Sequence, residues 1–225
     1  MSKMEFQRPF SPTIGKTNVP KNFLKIINDI GDEVLSDDNK SAQWDWSNHL
    51  VGKVHKEIQI PISDKDDSDY CKDVIRLGCV TYLKQMIRDK RAFISNSVIL
   101  HNNQGGDVKE DNINISQSWI VSQYKNEYNP WHQHSGDLSG VIYLKIPKDM
   151  DKFYEEESKD HYPCSGMIQF MQGDKQSLRS DTLTFKPECG KMSIFPSWLK
   201  HSVFPFYVDG ERRCMSFNAY YVNKK

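Results

Sequence analysis

Two histidines, His132 and His134, stand two positions apart in the run Trp131-His132-Gln133-His134-Ser135-Gly136-Asp137. On an extended backbone, side chains at i and i+2 point to the same side, so this spacing offers two imidazoles to one ion. Two ligands alone hold a metal poorly. His201 is the third candidate: it opens a β-rich run far along the chain, and distant strands face one another in a two-sheet sandwich. A lone histidine is more often an ordinary core or surface residue, and His49, His55, His101 and His161 receive that reading. Near the C-terminus, Arg212 and Arg213 are candidate anchors for a carboxylate, because a planar guanidinium supplies two parallel charge-assisted hydrogen bonds. Period-two alternation groups Arg212, Cys214, Ser216 and Asn218 on one face and Arg213, Met215, Phe217 and Ala219 on the other. The polar set is expected to line a pocket. The chain has no G-x-S-x-G elbow, Walker loop or dinucleotide fingerprint, so neither nucleophilic serine chemistry nor P-loop chemistry is indicated.

The elements that must position these groups change character along the chain. Phe23, Ile26, Ile27, Ile30 and Val34 repeat at helical spacing after Pro20, which suits a helix start. A second helix is expected over 71–94, with Val74, Leu77, Val80, Tyr82, Leu83, Met86, Ile87 and Phe93 on its apolar side. An acid-rich, turn-prone connector at 64–69 separates the two. Past Asn112 the pattern becomes short β-rich runs between Gly, Pro, Asn and Asp, the signature of an antiparallel sandwich or barrel. Seven strands are expected: 113–124, 139–146, 167–171, 182–186, 191–195, 202–207 and 212–222. The charged run at 148–162 interrupts them as a solvated insertion, read as a lid. No linker divides the chain. The expectation is a single domain over 1–225, with helices of a mostly helical support region (1–111) buttressing one sheet of a β core (112–222).

Composition narrows the class further. The 225 residues carry 30 basic and 30 acidic side chains, and 12% are aromatic. Such a chain can fill a substantial core. Zero formal charge gives no generic attraction to nucleic acid, although Lys84, Arg88, Lys90 and Arg91 offer a local basic face. No stretch approaches the roughly 18 apolar residues of a membrane span, and the polar start lacks a signal-peptide core, so a cytoplasmic protein is expected. Five scattered cysteines without a C-x-x-C pair read as reduced thiols.

Three blocks carry a resemblance: H-x-H-S-G-x-L-S-G-V-x-Y-L at 132–144, G-K-M-S-I-F-P-S-W-L-x-H-S-V-x-P at 190–205, and R-x-C-M-S-F-N at 212–218. In this order they resemble the phage-associated branch of the iron(II)- and 2-oxoglutarate-dependent dioxygenases, with weaker likeness at 10–15 and in the first helix. The resemblance implies a mainly β fold with flanking α-helices and a double-stranded β-helix (jelly-roll, cupin-like) core. It also implies iron(II) as metal, 2-oxoglutarate and O₂ as co-substrates, and succinate and CO₂ as by-products. The usual motif of that superfamily is H-x-D, and here His134 replaces the acid. Two ligand sets therefore stand open: His132, His134 and His201, or a set using Asp137 as the carboxylate. The first needs only a straight strand, whereas Asp137 must return through the Ser135-Gly136 turn. In the resembling family an arginine precedes a small polar residue by two. That pattern assigns the oxoglutarate carboxylate to Arg212, with Cys214 in place of serine and Arg213 as the fallback.

Tyr143 is placed by the same resemblance near the distal carboxylate, with Ser216 beside it and Ser139 and Asn218 as further cavity candidates. Trp131, Pro196 and Trp198 are expected to dry the pocket. The implied reaction hydroxylates a C–H bond, with a peptide side chain, prolyl among the options, as the first expectation. A nucleobase, a nucleotide or a small metabolite is the alternative target. Outside enzymology, the competing reading is a sandwich module that holds a metal structurally. Substrate-selecting loops are expected at 102–111 and 148–162, and the oligomeric state is open.

Overall fold

The computed structural model describes residues 12–49, 51–60, 67–89, 108–150 and 164–222. Among the described residues, ten strands form two sheets: β1 (Gly15–Asn18), β2 (Lys56–Gln59), β3 (Ile113–Gln123), β4 (Asn129–His132), β5 (Leu138–Lys145), β6 (Ile168–Met171), β7 (Thr182–Phe185), β8 (Lys191–Pro196), β9 (Lys200–Val203) and β10 (Arg212–Tyr221). The larger sheet runs β1-β8-β5-β10-β3-β2 and the smaller β4-β9-β6-β7. Every pairing is antiparallel. This is a jelly-roll, a mainly β core with helices on one side.

The larger sheet is buried on both faces, and the alternation of β10 shows how. Met215, Phe217 and Ala219 enter the core shared with the helices. Cys214 instead joins Trp119, Val121, Val141, Tyr143, Ile168, Phe170 and Phe195 in the core between the sheets. Strand periodicity therefore sorts the chain into a helix-facing and a site-facing half.

Helix α1 (Lys21–Leu35) follows Pro20, whose extended backbone is its N-cap, and buries Phe23, Ile27 and Gly31 four residues apart. At Gly31 a Cβ would lie 2.9 Å from Ile120 Cδ1 and 3.1 Å from Arg213 Nη1, so glycine lets the helix approach the sheet. Helix α2 (Asp38–Gln43) is capped by Asp37, whose carboxylate accepts from Asn39 N–H and Lys40 N–H. Helix α3 (Asp67–Arg88) buries Cys71, Ile75, Cys79, Leu83 and Met86 against the same sheet face.

Several expectations shift. The second helix starts at Asp67, inside the expected acidic connector, and Leu77 is exposed rather than apolar-facing. Its expected extension over 90–94 lies outside the described residues, as do Lys90, Arg91, most of the 148–162 insertion and 102–107. The support region is not only helical, because β1 and β2 extend both edges of the larger sheet. These four-residue strands are too short for a periodic signal. The strand drawn at 202–207 is instead β9, which ends before the Phe204-Pro205 dipeptide, where a proline cannot donate to a ladder. The other expected strands differ by a residue or so at their ends.

Candidate metal and oxo-acid site

His132 ends β4 and pairs directly with His201 of β9, across a register irregularity between Asn129 and His132. His134 lies beyond the strand end, so the straight-strand expectation for the pair fails. A laced turn holds it instead. His134 N–H donates to Ser197 O at 3.0 Å, Ser197 N–H to Asp137 O at 3.2 Å, and Asp137 N–H to Ala219 O at 3.0 Å. The Ser197 hydroxyl also donates to Gly136 O. Gly136 has φ +106°, and a Cβ there would meet Ala219 O at 3.0 Å, so the turn requires glycine.

The turn closes a three-histidine cluster. One potential ligand atom from each of His132, His134 and His201 lies within 4.8 Å of the others. His132 Nδ1 is 2.7 Å from Pro130 O and His201 Nδ1 is 2.9 Å from Leu199 O. A carbonyl only accepts, so both Nδ1 atoms carry the proton and both Nε2 lone pairs are left for an ion. Burial disfavours the charged ring in all three: it lowers the pKa of His132, brings His134 to about 4 and brings His201 to about 3. The triad is thus neutral at pH 7 and needs no deprotonation to coordinate. Asp137 stands apart, its carboxylate accepting from Tyr221 N–H at 2.9 Å.

The cavity beside the triad is lined by Glu57, Trp119, Val121, Phe195, Arg212, Cys214 and Ser216, among others. Arg212 is 1% exposed. Its Nε donates to Gly166 O at 3.1 Å and its Nη1 to Gln123 Oε1 at 3.0 Å, and no carboxylate pairs with it among the described residues. A buried cation without a counter-ion is costly, and an anionic ligand relieves that cost. Tyr143 lies under the guanidinium, whose carbon is 5.1 Å from the ring centroid, and its buried hydroxyl makes no hydrogen bond. That hydroxyl is a second orphan beside the same cation.

The remaining expected site residues separate. Arg213 points to α1, pairing with Asp32 at 2.8 Å and Glu211 at 2.7 Å, and so ties the helix to the sheet. Ser139 and Asn218 satisfy each other at 2.7 Å. Trp131 and Trp198 are exposed; the rings packed on the histidines are Trp119, Phe170 and Phe195. Glu57, an acid on the cavity wall, was not singled out in the sequence, because β2 itself escaped notice.

Residues 117–218 match the family model described as "Putative 2OG-Fe(II) oxygenase". Among solved structures, the non-heme alpha-ketoglutarate-dependent carbocyclase SnoK from nogalamycin biosynthesis is 10% identical, with 94% of this chain and 82% of that one covered and a TM-score of 0.53. A Pseudomonas putida prolyl-4-hydroxylase is 12% identical, with 94% and 93% covered and a TM-score of 0.48. At 10% identity the likeness to the carbocyclase speaks for the fold alone. No curated protein matches the chain in sequence.

The matched segment is similar to iron(II)- and 2-oxoglutarate-dependent oxygenases, and the jelly-roll agrees with that likeness. The side chains fit those groups. Three neutral imidazoles suit iron(II) and leave coordination positions open, and an unpaired buried arginine beside an unpaired tyrosine hydroxyl suits a dicarboxylate.

Proposed function

We propose that the protein hydroxylates a C–H bond of a peptide side chain, with iron(II) held by His132, His134 and His201 and 2-oxoglutarate held by Arg212. The observation that carries this reading is one cavity lined by both the histidine triad and a buried arginine without a counter-ion. Iron with 2-oxoglutarate and O₂ supplies the oxidising power, and succinate and CO₂ are released. The chain's own groups bind, orient and exclude water. Arg212 takes the distal carboxylate through its uncommitted edge, and the Tyr143 hydroxyl donates to the same group. Ser216 flanks them on the cavity wall. Trp119, Phe170 and Phe195 keep water from the triad. Three histidines leave a net charge more positive by one than two histidines and a carboxylate, which favours a dianionic co-substrate.

For the peptide, support comes from the outer surface. Tyr128 just before β4, Trp131 within it and Trp198 in the turn before β9 are exposed, and aromatic groups of this kind are enriched where proteins bind chains. Nothing in the site singles out proline. Five cysteines outside any disulfide fit a reducing cytosol, host or otherwise, and among the described residues no helix is long and apolar enough to cross a membrane. The likeness to a phage branch rests on the motif blocks, and the reading does not depend on it.

Succinate release from 2-oxoglutarate by the purified protein tests the reading. Release that requires iron(II) and disappears in His201→Ala is expected. Metal-independent release, or full release by His201→Ala, would overturn it.

A further inference from the structure

The polar atom of this cavity that neither iron nor 2-oxoglutarate accounts for belongs to Glu57. It lies on β2, the strand that flanks β3 at the edge of the larger sheet, and directly opposite Val121, which in turn sits opposite Cys214. All three side chains line the cavity. Each strand step spans about 4.8 Å, so Glu57 stands roughly 10 Å from the backbone of the arginine-bearing strand, two strands across the same sheet face. The residue is 3% exposed, and its Oε1 is buried without a hydrogen bond.

No cation answers this acid. Among the described residues Glu57 makes no ion pair. Its strand neighbour Lys56 is turned to Asp38 and Ser41. Arg212 makes its hydrogen bonds to Gly166, Gln123 and Cys214 and none to Glu57. A charge that does bear on Glu57 is another acid, Asp45, bridged to the adjacent Ile58 and holding its own place through Ser47. Asp45 disfavours the charged form of Glu57, and Lys56, which offsets Asp45, is itself bound to Asp38 and Ser41. A buried carboxyl kept without a partner is costly, and such an exception asks for an explanation.

We propose that Glu57 is the substrate-recognition residue of this cavity and takes the basic nitrogen, ammonium or guanidinium, of the side chain presented to the iron. The inference rests on the oxygenase reading and deepens it, naming a lysyl or arginyl type of side chain as the substrate class. The strand order sets the two groups apart on one sheet: Arg212, on β10, meets the anionic co-substrate, and Glu57, on the edge strand β2, meets a cation.

The test is calorimetric titration of the full chain, kept anaerobic with iron(II) and 2-oxoglutarate. The probes are the N-acetyl methylamides of lysine, arginine and norleucine, the last matching lysine without its ammonium. The lysine or arginine probe is expected to bind about tenfold or more tightly than norleucine, with Glu57→Gln losing that preference while norleucine binding is unchanged. Equal binding of lysine and norleucine, retention of the preference in Glu57→Gln, or no binding by any probe would overturn the proposal. Asp45→Asn, on an exposed residue, gives a variant that spares the interior and is expected to reduce the preference. The visible band of chelated 2-oxoglutarate is read in the same samples. A band without a cation preference removes Glu57 alone, whereas a preference without a band removes the oxygenase reading and leaves the cation site.

Discussion

His132 and His201 use one local device twice: each ring donates from Nδ1 to the carbonyl two residues back, so backbone placement fixes the tautomer as well as the position. Such a detail needs coordinates, because it depends on local backbone angles and not on residue type. Arg212 and Arg213 show the opposite case. Their division between cavity and helix follows from strand alternation alone. Glu57 leads to a prediction with a definite sign. Desolvation lifts its carboxyl from 4.5 to about 7, so the folded protein holds a proton that the unfolded chain has released. Stability contributed by this group is present below the unfolded value and is lost as pH rises through about 7. Glu57→Gln should therefore unfold like the parent at pH 4 and be more stable than it at pH 8, by on the order of 2 kcal/mol. Urea midpoints at the two pH values measure this, and equal midpoints at pH 8 would contradict the burial argument.

At the scale of elements, the site depends on the turn between β4 and β5 as much as on the strands. Gly136→Ala places a Cβ against Ala219 O at a φ that L-residues rarely adopt. A loss of about 1–3 kcal/mol is expected, together with weaker iron(II) binding, because the turn carries His134. An unchanged urea midpoint with normal iron affinity would show that the turn does not position the ligand. The long strands could be read from the sequence because β3, β5 and β10 carry enough residues to display alternation, and α1 because Phe23, Ile26, Ile27, Ile30 and Val34 recur at three and four. β1, β2 and β4 could not, since four residues carry little periodicity and their pairing partners lie far along the chain. The histidine motif was visible as residues. Its turn geometry was not, because the hydrogen bonds to Ser197 and Ala219 join segments that are distant in sequence. Missing β2 hid Glu57 for the same reason.

Across the whole molecule, the larger sheet separates two functions. Its helix-facing side carries the packing of α1 and α3, while its other side and the smaller sheet enclose the triad, Arg212, Tyr143 and Glu57. Polar groups are arranged in the same way: among the described residues, a buried arginine without a carboxylate partner and a buried acid without a cation line one cavity. The measurement that bears most directly on the central claim is an anaerobic titration of the metal-free protein with iron(II) and then 2-oxoglutarate, followed by visible absorption. A charge-transfer band saturating at one equivalent of each, lost in Arg212→Ala at the same concentrations while iron still binds, is the predicted result. Tight metal binding with no band at any 2-oxoglutarate concentration would contradict the account at its chemical centre.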